Sequence, residues 1–372
     1  MVSGISLPQY RSCRTRACRK VTNCQQFALC MHDWSRIKYI RHNRKQDTYA
    51  VTHAHDVGYD LQTSLLVNDI DGQPISPIAQ RLVSSKGSYA TYYDDSDPQT
   101  VKNNLDELCD SINSIKNYDL PKPVVHIIDR EADSIFHLRK LSDNSQSWLI
   151  RAKKVNYVKH RDQRLTLSKV ASNLDYKEAG KVNYHGKPHR KFIAETEVII
   201  DRKAVPSQKK GYQSPILGEP LTLRFIVCQL QDNQKNTIAQ WLLLTNVTDV
   251  STNIITVWYY WRWRIESFFK LLKKGGHELE CWQQENALAI SKRLLVVSMA
   301  CVIVWKIAKA KTKKEIHFRD FLIKLSGKQV KKHFTHNALL TGLWVFLAMS
   351  NVLKIYTTKQ ITEFRQTMDI FV

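Results

Sequence analysis

The chain has 372 residues, enough for two or three domains around a sizeable core. Its 56 Lys and Arg stand against 34 Asp and Glu, and the formal net charge of +22 calls for a polyanionic partner, nucleic acid ahead of an anionic membrane. The eight cysteines include no CxxC pair, which argues against a zinc ribbon or disulfide scaffold and for reduced thiols in the cytosol.

In chain order, residues 1–26 are basic and aperiodic, and they do not read as a secretory signal. The apolar run Phe27–His32 predicts a buried strand ending at Asp33. Asp71-Gly72 between Leu61–Asp69 and Gln73–Leu82 predicts a hairpin. After a helical stretch, the run Pro123–Ile128 predicts a second buried strand ending at Asp129. Arg-Glu-Ala-Asp133 then opens a helix. From about 145 to 250 the chain is rich in Lys and Arg. Alternating runs at Glu195–Ile200, Leu221–Gln229 and Ala239–Thr245 predict a β-rich insertion. One helix is expected from Ser251 or Thr252 to a stop at Gly275-Gly276. A second runs from about Leu288 to Lys309, a basic hinge covers Lys309–Lys314, and two or three helices fill 315–372. The apolar segment Leu294–Ile307 is too short to span a bilayer. Ala338–Ile355 carries Gly342, Ser350 and Asn351 and reads as a buried helix, so no membrane span is expected.

Within the helix that starts near 251, Tyr259, Arg262, Glu266 and Lys273 fall at offsets 0, 3, 7 and 14. At about 100° per residue they share about 60° of the circumference. Val257, Trp261, Ile265, Phe268 and Leu272 occupy the opposite side, an apolar face to bury. A surface Glu–Arg pair at i, i+4 spacing has the same local pattern. The excess of positive charge favours a site instead.

The spacing Y-x2-R-x3-E-x6-K, with Arg-Trp-Arg-Ile-Glu around it, resembles the signature of bacterial insertion-sequence DDE transposases. Among these it is similar to the insertion sequence 4 family and its transposon-five-like branch. The resemblance extends over about residues 27–310 and implies an α/β chain with a ribonuclease-H-like mixed sheet. The expected organisation is a basic segment 1–26, a core in two parts (27–144 and 251–310), a β-rich insertion at 145–250 and a helical region at 311–372. It also implies a helical end-recognition domain before the first Asp. The 32 residues that precede Asp33 do not read as one, so a truncated copy is expected.

Phosphodiester chemistry on DNA calls for divalent metal held by carboxylates, because Mg²⁺ prefers oxygen ligands. Glu266 is one candidate ligand. Asp129 is the second, since Ile-Ile-Asp-Arg-Glu-Ala-Asp resembles the family's second-Asp motif, although an Asp there also suits a helix N-cap. Asp33 is preferred as the third because a strand precedes it. Asp47-Thr48 is the alternative by text alone. By the same resemblance, two Mg²⁺ (or Mn²⁺) would bind there, Arg262 and Lys273 would hold phosphates, and Tyr259 would meet the DNA backbone. Trp241 either stacks on a flipped base or is a core residue of its strand. Arg151, Lys153 and Lys154 line a DNA groove or are solvated surface charge. The implied partners are double-stranded DNA and a second copy of the chain, in the bacterial cytoplasm. A DNA-binding inhibitor of full-length transposase and a metal-dependent nuclease are the alternatives.

Overall fold

The computed structural model describes residues 20–91, 97–205, 214–274, 277–331 and 334–368. Most of the basic N-terminal segment, with Cys13 and Cys18, lies outside these residues, as do Gly275 and Gly276. The chain divides into two compact units. The first is Met1–Glu266 with Glu285–Ser291, and the second is Ser267–Gln284 with Lys292–Val372.

A mixed sheet organises the first unit. β1 (Ala28–Lys38), β2 (Tyr49–Ala50), β3 (Val57–Asn68), β4 (Pro74–Ser84) and β5 (Gly87–Ala90) come first. Helix α1 (Asn104–Lys116) leads to β6 (Val124–Ile128), and α2 (Ile135–Asp143) leads to β7 (Ser147–Arg151). These two helices are the crossovers that parallel strands need, because β1–β6 and β6–β7 are the parallel pairs. β8 (Tyr157–His160), β9 (Gln163–Thr166), helix α3 (Leu167–Ser172), β10 (Lys177–Tyr184), β11 (Lys187–Ile200), β12 (Leu221–Gln231) and β13 (Thr237–Thr245) follow. The order across the sheet is β5-β4-β3-β1-β6-β7-β13-β12-β11-β8-β9. The β-rich segment therefore continues the same sheet, joined where β13 pairs antiparallel with β7. The central strands are buried on both faces, which is why they read as apolar runs rather than as alternation.

Two local expectations need correction. β1 does not stop at Asp33 but runs to Lys38, because β3 pairs with it along its whole length. The parallel partner β6 ends at Ile128, opposite His32, so Asp33 lies just past the parallel pairing. The helix expected from 251 to 274 is two helices, α4 (Thr252–Tyr260) and α5 (Trp263–Lys273). At the break, Arg262 N bonds Tyr259 O at 3.0 Å and Ile265 N bonds Arg262 O at 3.1 Å, so the ladder tightens to i−3 bonds. Local periodicity sees the face but not this tightening. Ser251 takes the N-cap position without a side-chain cap bond.

The division between the units falls within α5, after Glu266. α6 (Ala287–Ala308), α7 (Lys313–Leu325), α8 (His336–Ile355) and α9 (Thr358–Met368) complete the chain. Thr312 and Glu315 form a capping box at the start of α7. α6 extends beyond the apolar run read from sequence. It and α8 are long and apolar enough to cross a bilayer by length and composition, with mean hydropathy 2.1 and 1.7. Only 39% and 22% of these apolar stretches are buried, so α8 is not the buried helix its sequence suggests: it buries Ala338, Leu339, Leu340 and Gly342 near its start and leaves most of its later apolar side chains exposed. One or two such helices are weak evidence for a membrane protein.

Candidate active site

Register brings the first two carboxylates together. The β1–β6 pairing runs from Ala28↔Val124 to His32↔Ile128, so the next residue on each strand is an aspartate, Asp33 and Asp129. Each is held by its own backbone: Asp33 Oδ1 accepts from Trp34 N at 2.9 Å and Asp129 Oδ1 from Arg130 N at 2.8 Å. The latter bond caps the short 3₁₀ turn Arg130–Ala132, so the N-cap role and the site position coexist. Glu266 comes from the first turn of α5.

Arg262, at the α4–α5 break, joins the three. Its Nη1 is 2.9 Å from Asp33 Oδ2, and its Nη2 is 2.9 Å from Glu266 Oε1 and 3.6 Å from Asp129 Oδ2. The residue is only 6% exposed, so these contacts are shielded from water. Tyr259, buried on α4, donates its hydroxyl to Asp129 Oδ1 at 3.2 Å. Arg151 Nη1 lies 3.8 Å from the same oxygen. The i, i+4 pair of Arg262 and Glu266 is thus part of a larger ion cluster rather than a surface pair.

Burial pushes the carboxyls of Asp33 and Glu266 above their ordinary range, and the Arg262 cation opposes that shift in both. Burial alone would weaken the Arg262 cation. Asp33, then Tyr259, Asp129 and Glu266, outweigh it and hold the guanidinium charged well above its usual value. Burial, then the charge of Asp129, keeps the Tyr259 phenol protonated.

The other sequence candidates are placed differently. Trp241 on β13 is 5% exposed, packed against Tyr259, Tyr260 and Tyr184 at ring distances of 5.7, 6.3 and 6.2 Å. Its indole is buried among these rings. Lys273 lies in the second unit, its Nζ 3.2 Å from Glu280 Oε1. Lys153 Nζ is 2.9 Å from Asp133 Oδ1, and its backbone N bonds Asp133 Oδ2 at 2.9 Å. That aspartate also accepts from Asn156 Nδ2 at 2.9 Å, so it ties down the loop after Arg151. Asp47 is buried, accepts from the Tyr59 hydroxyl at 2.7 Å, and binds Ala287 N at the start of α6 with both oxygens at 3.1 Å. It therefore has a capping role away from the cluster.

Two features were missed by the sequence reading. Glu131 lines the same pocket as Asp33 and Asp129; the residue is exposed, and partial desolvation at the pocket wall followed by those two charges pushes its carboxyl up. The Asp-x-Glu spacing was its only local signal. Behind the aspartates runs a buried chain in which His32 Nδ1 meets Ser64 Oγ at 2.9 Å and His32 Nε2 meets His126 Nδ1 at 2.9 Å. His126 Nε2 then meets Gln146 Oε1 at 3.2 Å. Cys30 lies beside this pair, the three ligand-type atoms within 4.8 Å of one another.

The model of the transposase DDE domain family matches residues 94–299, more than half of the chain, and the matched span holds Asp129 and Glu266. The chain belongs to the DDE transposase domain family. No curated protein matches it. DDE transposase domains act on DNA and generally use divalent metal ions. The carboxylate cluster of this transposase fits such an ion on two counts. All its donors are carboxylate oxygens, the choice of hard cations. Oxygens from three separate elements already converge on one cationic group, Arg262.

Proposed function

We propose that this transposase cuts DNA at insertion-sequence ends and joins those ends to a target by metal-dependent phosphoryl transfer. Asp33, Asp129 and Glu266 would hold two Mg²⁺, with Mn²⁺ as substitute. The observation that carries this reading is the convergence of these carboxylates, from β1, β6 and α5, on a single guanidinium. Bound metal would activate the attacking oxygen and stabilise the leaving one. Tyr259 orients Asp129 through its hydroxyl bond, and Arg151 and Arg262 offer forked donors to phosphate oxygens. Lys273 is proposed as a further phosphate contact, and Lys153 as part of the groove once DNA competes with Asp133.

In the proposed sequence, water first opens the phosphodiester at the element end. The freed 3′-OH then attacks the opposite strand to give a hairpin, which is hydrolysed before strand transfer. All steps are in-line displacements at phosphorus, so one site serves them in turn. The branch of the family read from the Tyr259–Lys273 spacing motivates this order, and the ribonuclease-H-like description of the mixed sheet belongs to the same reading. Bringing two ends together requires two copies of the chain. The exposed Trp344, Leu347, Leu353 and Ile355 of α8 support the C-terminal helices as the contact. The proposed setting is DNA in the bacterial cytoplasm.

The test is cleavage of duplexes carrying the inverted repeats that flank the gene, with Mg²⁺ or Mn²⁺. Asp129→Ala and Glu266→Ala should each abolish cleavage while DNA binding persists. Full cleavage by either variant would overturn the assignment. Binding without cleavage by the unaltered chain would favour the inhibitor, and cleavage without joining the nuclease.

A further inference from the structure

Arg262 occupies the position that a metal ion would compete for. Its nitrogens lie 2.9 Å from Asp33 Oδ2 and Glu266 Oε1, two of the oxygens that the proposed site offers to metal. The third carboxylate, Asp129, lies 3.6 Å from the same guanidinium. Without that cation, three acidic groups would repel one another in a half-buried setting. The guanidinium therefore balances the cluster in the free chain.

A divalent ion on these oxygens would stand within a few ångströms of a fixed guanidinium. Mg²⁺ takes its ligands at about 2.0–2.1 Å and tolerates little distortion. The arginine must then give up its carboxylate bonds. Because Arg262 cannot discard its proton, its charge needs a new anionic partner. Among the groups of a DNA substrate, a phosphate suits the planar fork best, through paired N–H···O bonds. Arg151 stands on the other side of Asp129, at 3.8 Å from Oδ1, where it would share such an anion.

We propose that Arg262 is a resident counter-ion that makes metal loading conditional on phosphate. Metal and DNA each release the other's cost at Arg262, so they bind cooperatively, and the free chain holds metal weakly. This rests on the metal-dependent reading above. It adds a role for Arg262 before any chemistry, as a positioning residue that reports whether DNA is in the site. Such coupling would keep an enzyme that cuts DNA from carrying a loaded site while unbound.

The experiment uses the full chain and Mn²⁺ alone as the probe, with free Mn²⁺ counted by electron paramagnetic resonance. Titrations run with and without a short DNA duplex at saturation, and duplex-only samples are subtracted. In the unaltered chain the duplex should tighten Mn²⁺ binding by about tenfold or more, within the usual range of coupling between sites. By linkage, Mn²⁺ should tighten duplex binding by the same factor. Arg262→Gln should bind Mn²⁺ more tightly than the unaltered chain when DNA is absent, and should lose the gain from DNA. The comparison within the unaltered chain stands whether or not Arg262→Gln folds, and Arg262→Lys, which keeps the charge, should retain part of the coupling. Equal Mn²⁺ affinity with and without duplex, with Arg262→Gln no tighter, would overturn the proposal while leaving the metal site intact. If no form of the chain bound Mn²⁺, or if Asp129→Ala bound it unchanged, the metal-dependent reading itself would fall.

Discussion

Gly72 packs against Trp261, the residue immediately before Arg262, so a side chain there is expected to disturb Arg262. It sits in the connection between β3 and β4 with φ of +64°, its N–H bonded to Asn68 O at 3.0 Å. A Cβ there would lie 2.5 Å from Cγ and Cε2 of Trp261, the residue that ends α4 and immediately precedes Arg262. The same turn holds α4 by a second contact, from Trp258 Nε1 to Asp69 O at 3.2 Å. Gly72→Ala combines two penalties. The left-handed backbone costs an alanine about 1–2 kcal/mol. Restoring an ordinary contact requires the indole to withdraw by about 1 Å, and crowding of this kind costs roughly 1–3 kcal/mol. The sum is about 2–5 kcal/mol, measured as a fall in the urea midpoint at unchanged slope. The retreat of Trp261 also displaces Arg262, and misplacement by about 1 Å is worth up to about 100-fold in rate. Gly186→Ala is the control. Gly186 has φ of +80°, and nothing lies within 4 Å of its would-be Cβ, so only the backbone penalty applies. If Gly72→Ala matched Gly186→Ala in both stability and cleavage, the proposed link from turn to site would be refuted.

Two further outcomes test the surroundings. Asp47→Ala should lose about 1–3 kcal/mol, because the Tyr59 hydroxyl and the first N–H of α6 lose their acceptor. It should keep metal-dependent cleavage, whereas Asp33→Ala should lose it, and the reverse pattern would exchange the two assignments. Burial pushes the His126 imidazole down to about 4, opposed only by its bond to Gln146. Below the ordinary value of about 6.5 the unfolded chain therefore takes up a proton that the folded chain refuses. Stability from this group is full above that pH, falls by roughly 1.4 kcal/mol per unit, and levels off near pH 4 after a loss of about 3 kcal/mol. Urea titrations across this window should show a shallower pH slope for His126→Gln, and an unchanged slope would disprove a neutral buried imidazole.

The readable parts of this chain were those with local causes. β6 was legible because a buried parallel strand is a run of apolar residues, and Asp129 marks its end. The β3–β4 hairpin announced itself through Asp71-Gly72, where only glycine meets the turn's positive φ without strain. The break between α4 and α5 was not legible, since it changes the hydrogen-bond ladder while keeping the apolar face that periodicity reports. Trp241 was ambiguous for a related reason. An indole on an alternating strand reads the same whether it packs or waits for a ligand, and its three tyrosine neighbours come from β10 and α4.

By itself, the sequence determined the basic charge, the apolar strand that ends at Ile128 just before Asp129, and the spacing of Tyr259, Arg262 and Glu266. Each depends on composition or on residues within a few turns of one another. The preference for Asp33 came from the strand before it, but only tertiary structure set Asp33 beside Asp129, because that follows from the parallel register of β1 on β6. It also decided that Arg262 reaches past its helical neighbour Glu266 to Asp33, 229 residues away in the chain. Helical periodicity places a side chain on a face. What that face meets is set by long-range packing, which no local pattern encodes.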